Sequence, residues 1–231
     1  MHSLRGGDEI KESVRLMTQV VEAADEPNLI EDLSRLGSYQ LMAGEHVKAV
    51  DTYQRVVELQ PDDPVGLNNY AYLVATVLED PQRAEPYARQ AIALRPTEPS
   101  FLDTMAEVQM QLGNYQAALS SLMSRLAIEP NNVDLLRSIA GTLVDHLNRP
   151  QEAVTFMDQA LELDPRGAET LRLAGWAYWN EGSESKGRDL VSQSIRRQPS
   201  AEAHLHMARI LAAAGDGSQA RDHLQQAANL A

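Results

Sequence analysis

Cysteine is absent from this 231-residue chain. Disulfides, thiolate metal sites and cysteine nucleophiles are therefore excluded. Lysine is scarce as well: Lys11, Lys48 and Lys186 are the whole set, and arginine carries the rest of the positive charge. With a formal net charge of -13, the chain lacks the clustered basic surface that nucleic acid or an anionic membrane requires. No run of about 18 apolar residues occurs, and the opening MHSLRGGDEIKES has no apolar core of a signal peptide. The expectation is a soluble protein of cytoplasm or periplasm, without membrane insertion. Catalytic signatures are missing too. The six histidines show no metal-ligand spacing, and no glycine-rich phosphate loop or G-x-S-x-G elbow is present. No metal, cofactor or catalytic residue is expected, and the chain is not expected to be an enzyme.

What is present is repetition. Residues 102–130, LDTMAEVQMQLGNYQAALSSLMSRLAIEP, place Leu102, Met105, Ala106 and Leu112 on one helical face. Gly113-Asn114 ends that helix, Ala118, Leu119, Leu122 and Leu126 form a second apolar face, and Pro130 closes the unit. Such a hairpin cannot bury both faces alone and needs neighbours of its own kind. Pro61, Pro96, Pro130, Pro165 and Pro199 follow one another at intervals of 35, 34, 35 and 34 residues. Within each unit one position of the first helix is small: Gly37, Ala71, Ala106, Ala140, Gly175 and Ala208. One position of the second helix is equally small: Ala49, Ala84, Ala118, Ala153, Gly187 and Ala220. Small residues where paired helices cross allow the axes to approach within about 8–10 Å. A longer rhythm lies beneath. Leu78-Glu-Asp-Pro81 and Leu147-Asn-Arg-Pro150 share a turn two units apart, with proline at the first position of the helix that follows.

These residues resemble the tetratricopeptide repeat. Gly37, Gly44, Ala49, Tyr53 and Pro61 fit its pattern in the first unit, Gly113, Tyr115, Ala118 and Pro130 in the third, and Gly175, Tyr178, Gly182 and Pro199 in the fifth. The resemblance implies an all-α solenoid of six helix-turn-helix repeats in a right-handed superhelix, with first helices lining a concave groove. The repeats fall at about residues 29–62, 63–97, 98–131, 132–166, 167–200 and 201–231, together an array over 28–231. Residues 1–7 read as a flexible polar start, and 8–27 as one extra helix that caps the array or belongs to a truncated repeat. Gln40, Gln109, Gly187, Arg125 and Ser194 depart from the family's pattern. More loosely, Asn68 to Ala75 followed by Leu102-Asp103-Thr104 resembles bacterial tetratricopeptide proteins of exopolysaccharide and exosortase-type envelope systems.

The family implies a non-catalytic scaffold that holds a peptide segment or protein surface in its groove. The candidate groove residues are Asn69, Tyr72, Arg137, Arg172, Trp176, Trp179, His206 and Arg209. Asn69 stands where family members that clamp chaperone C-termini carry asparagine, but Ser34, Ser38, Ser100 and Thr104 replace the other clamp residues. Arg137, Arg172 and Arg209 on successive first helices, with Trp176 among them, suit an acidic peptide with a side chain stacked on Trp176; the other reading is that Trp176 and Trp179 fill the space between repeats, with the arginines paired to local glutamates. The alternative is an assembly module that self-associates through its terminal repeats, because Leu224, Ala228 and Leu230 face outward on the last helix.

Overall fold

The computed structural model describes the backbone of residues 2–23 and 26–231, and the side chains of residues 7–23 and 28–231. Among these residues there are thirteen α-helices and no strand. Helix α1 (His2–Ala23) is followed by six helical pairs. They are α2 (Glu26–Met42) with α3 (His46–Leu59), α4 (Pro64–Thr76) with α5 (Pro81–Leu94), and α6 (Pro99–Gln111) with α7 (Tyr115–Ile128). Next come α8 (Val133–Gly141) with α9 (Pro150–Leu163), α10 (Ala168–Glu181) with α11 (Glu184–Arg197), and α12 (Ala201–Ala213) with α13 (Gly217–Leu230). Helix α8 runs on into a π-helical turn at Thr142–His146. Helix α1 begins at His2, ahead of the Asp8 start read from sequence. No proline lies between the two, and Gly6 and Gly7 cost a helix only about 1 kcal/mol each.

The chain forms two compact units, Met1–Ser121 and Leu122–Ala231. In the first, Val14 and Val21 of α1 are buried with Leu33, Leu36, Tyr53, Val56, Leu73 and Val74 in one apolar cluster. Tyr53 fills the space that Gly37 leaves open: a Cβ at Gly37 would stand 2.6 Å from its ring. The Tyr53 hydroxyl also donates to the Ser34 carbonyl at 3.2 Å. In the second unit Leu136, Ile139, Leu143, Met157, Leu171, Val191 and Leu211 are fully or nearly fully buried.

Helix starts follow capping rules. Asp63, Asp80, Asn132, Ser200 and Asp216 each accept a backbone N–H three residues on, satisfying donors that an open helix end leaves free. Helix ends divide into two kinds. Gly44, Gly113, Gly182 and Gly215 take positive φ, whereas Glu79 and Asn148 do so in the proline-containing turns, at φ 52° and 53°. Another contact repeats with the same two-unit spacing. Gln90 donates to the Pro61 carbonyl at 2.8 Å and Gln159 to the Pro130 carbonyl at 2.9 Å. The two-unit rhythm of the sequence is thus a rhythm of the fold.

Three departures from the repeat pattern, Gln40, Gln109 and Ser194, are absorbed by hydrogen bonds. Gln40 is buried and accepts from Thr52 at 2.7 Å. Gln109 is buried and donates to Glu85 at 3.2 Å, and Ser194 donates to the Ala168 carbonyl at 2.7 Å. Gly187 has a steric cause. A Cβ there would lie 2.7 Å from the Gly175 carbonyl oxygen, so the facing glycines bring α10 and α11 into backbone contact.

Candidate functional site

In the second unit, α10 presents Trp176 and Trp179 one turn apart. Their rings stack at 5.4 Å with planes 9° apart, and His206 of α12 stacks on Trp176 at 4.4 Å and 14°. The Trp176 indole donates to Asp145 at 2.8 Å. Asp145 belongs to the π-helical turn. Trp176 is only 7% exposed, and its one donor is used internally. Of the two readings of Trp176, this geometry fits packing: the ring lies between the π-helical turn, α10 and α12 instead of offering its face to a ligand. An indole is mostly apolar surface, and three adjacent helices enclose it more completely than a groove would. Trp179 is half-buried and borders a shallow recess with Arg188, Ile210 and Ala213.

The arginine patch is also largely neutralised. Arg172 pairs with Glu169 one turn earlier, including a 3.0 Å bond from Nε, and its side chain is 11% exposed. Arg137 pairs with Asp134 and donates to Thr170 at 3.3 Å. Arg209 remains exposed, with its guanidinium 5.5 Å from the Trp176 ring. The sequence displayed the cations, but their partners at i−3 cancel most of the field they would project. Arg172 Nη1 also lies 3.4 Å from His206 Nδ1. A guanidinium only donates, so Nδ1 must accept and the imidazole must be neutral. Burial, with Arg172 and Arg209 adding to it, lowers the His206 pKa to about 3. Two imidazoles, those of His204 and His223, meet at 2.9 Å between α12 and α13, and burial lowers both pKa values.

The first unit holds a more open feature. Asn68, Tyr72 and Thr76 recur every fourth residue along α4 and so share a face. Ser100, Asp103, Thr104 and Glu107 form the corresponding face of α6. Together they line a cleft of about 600 Å³. Tyr72 is 45% exposed. Asn69 is half-buried and accepts from Asn68 Nδ2 at 3.3 Å; it stands beside the cleft rather than on its wall. Glu107 accepts from Gln111 at 2.7 Å. No lysine or arginine is among the lining residues. Among the described residues, no group of three or more His, Asp or Glu is arranged to hold a metal, and no helix is long and apolar enough to cross a membrane.

Of the residues that line this cleft, sequence reasoning names Tyr72 as a groove residue, with Asn69 beside it, and gives more weight to the tryptophans and arginines of the second unit. Asp145 and the His204–His223 contact were missed. They depend on side chains brought together from 31 and 19 residues apart, and no local spacing signals them.

Residues 33–63 match the family model described as tetratricopeptide repeat. A DnaJ homolog subfamily C member 7 homolog from Schizosaccharomyces pombe is 25% identical over 155 residues, 66% of this chain and 28% of that protein. The chain thus spans well under a third of the length of this curated relative. Among solved structures, a tetratricopeptide repeat protein from Parabacteroides merdae covers 99% of this chain, with 90% of its own length matched, at TM-score 0.74 and 16% identity. PilF from Pseudomonas aeruginosa covers 87%, with 91% of its own length, at 0.65 and 16%. YrrB, described as a tetratricopeptide protein with an unusual peptide-binding site, covers 77%, with 91% of its own length, at 0.58 and 21%. The fold of these bacterial-type arrays is the fold of this chain.

Proposed function

We propose that this tetratricopeptide-repeat protein is a non-catalytic interaction scaffold that holds an extended segment of a partner protein against the first helices of its repeats. The observation that carries this reading is the cleft between α4 and α6. Its walls are polar side chains on rigid helices, and the half-exposed Tyr72 ring stands at its edge. Rigid aromatic anchors beside hydrogen-bonding groups suit peptide capture, because little side-chain entropy is lost on binding. YrrB's described peptide-binding site is in keeping with it. The acidic-peptide variant of this reading has weaker support, since Arg137 and Arg172 are already paired and Arg209 alone is exposed.

The test is site-specific photocrosslinking in cells. A benzophenone side chain at Tyr72 should capture a partner that one at Arg89, on a second helix, does not. Equal capture from both positions, or none from Tyr72, would refute the groove reading. A second reading, self-association through the last repeat, is favoured by the exposure of Leu224 and Leu230, 49% and 48%.

A further inference from the structure

The cleft walls are acidic and hydroxylic, in a chain of net charge -13. Asp103 and Glu107 are four residues apart on α6 and present two carboxylates to one face. Carboxylates alone would not define a site, but Asn68 adds an independent sign. It is 5% exposed, lies on the cleft wall, and its Oδ1 finds no hydrogen-bond donor. A buried acceptor without a donor is costly, and one kept in a folded protein calls for a partner from elsewhere. Its amide Nδ2 is held only by a long 3.3 Å bond to Asn69, so turning Oδ1 toward an incoming N–H gives up little.

We propose that this cleft recognises a lysine- or arginine-bearing segment of a partner protein, bound extended between α4 and α6. The proposal rests on the peptide-holding reading above and names the chemistry of its ligand. The cationic head pairs with Asp103 and Glu107. The Tyr72 ring lies along the aliphatic stem or under the charge, as aromatic faces do with cations. A backbone N–H of the segment donates to Asn68 Oδ1, which gives the buried acceptor its missing partner. The cleft's size is that of sites that enclose a ligand group rather than a flat contact.

The test is fluorescence anisotropy of three labelled peptides against the full chain: alternating lysine and alanine, and the same peptide with glutamine or glutamate in place of lysine. The lysine peptide should bind tightest and weaken with salt, and the glutamate peptide should not bind. Asp103→Asn with Glu107→Gln should lower lysine-peptide affinity about tenfold, the amount two partly exposed charge pairs supply, and remove the preference over glutamine. Glu12→Gln with Glu31→Gln, which removes equal charge elsewhere, should leave affinity unchanged. Asn68→Leu should weaken binding while the melting temperature holds or rises, since an unpartnered acceptor is lost. Lysine and glutamine peptides bound equally, with Tyr72→Ala weakening both, would overturn the cationic preference and leave peptide holding intact. No binding of any peptide, together with no crosslink from Tyr72, would overturn both. Equal losses from the Glu12 and Glu31 control would also overturn the proposal, because general attraction would then explain the binding.

Discussion

His206 shows how a buried residue of the second unit couples to solution conditions. Its ring is 7% exposed and neutral, stacked on Trp176 and accepting from Arg172. The folded pKa of about 3 lies below the ordinary 6.5. Above pH 6.5 neither folded nor unfolded chain carries a proton there, and the group contributes no pH dependence. As pH falls from 6.5 toward 3 the unfolded chain takes up a proton that the folded chain refuses, so stability falls. His204 and His223 act in the same direction, because burial lowers their pKa values too. The expected slope from one such group reaches about 1.4 kcal/mol per pH unit. Urea midpoints measured across this window should fall less steeply in His206→Phe than in the native chain. Parallel slopes would mean that the ring is protonated in the fold. Trp176→Ala should cost about 3–5 kcal/mol as an enclosed aromatic, and should leave peptide affinity in the first-unit cleft unchanged.

At the scale of the helix pair, the small positions decide whether the repeat closes. Ala49, Ala84, Ala118 and Ala153 are wholly buried at 0% exposure. Ala153→Leu should overpack the crossing of its pair and cost about 1–3 kcal/mol. Gly187→Ala is the sharper case. Alanine is favoured over glycine in a helix by about 1 kcal/mol, so propensity alone forecasts stabilisation. The added Cβ would instead meet the Gly175 carbonyl and the Trp179 backbone nitrogen, each at 2.7 Å, and neither can swing aside as a side chain can. Thermal melts should therefore show Gly187→Ala below the native protein. Glu79→Gly runs the other way. Its φ of 52° strains a side-chain-bearing residue by about 1–2 kcal/mol, and glycine should raise the melting temperature despite the freedom it adds to the unfolded chain.

For the molecule as a whole, helical repeats draw stability from nearest-neighbour interfaces, and an apolar face left exposed on a repeat tends to find a cover. Leu224 and Leu230 on α13 are about half exposed. If they mediate self-association, light scattering across a concentration series should show mass rising above one chain, and Leu224→Glu should hold it at one. A native chain that stays monomeric at every concentration would remove this reading. Added salt should favour the association, because each chain carries a net charge of -13 and screening relieves the repulsion between copies.

Spacing alone was enough for the helices, their pairing and their small contact positions. Proline at every 34 or 35 residues, glycine at the turns and alanine at the crossings are local signals, and in a repeat each copy confirms the next. The groove-facing side of the first helices was legible for the same reason, at Asn69 and Tyr72 on α4. The fate of individual functional groups was not. Tryptophan and arginine in one stretch look alike in sequence whether they face a ligand or a neighbouring helix. Tertiary contacts decided it: Asp145 and His206 close around Trp176, and Asp134 and Glu169 pair with Arg137 and Arg172. The same holds for Asn68, where only packing shows a buried acceptor left without a donor. Periodicity records which face a residue occupies; burial and charge pairing depend on what other segments bring to that face, and that is settled only when the chain has folded.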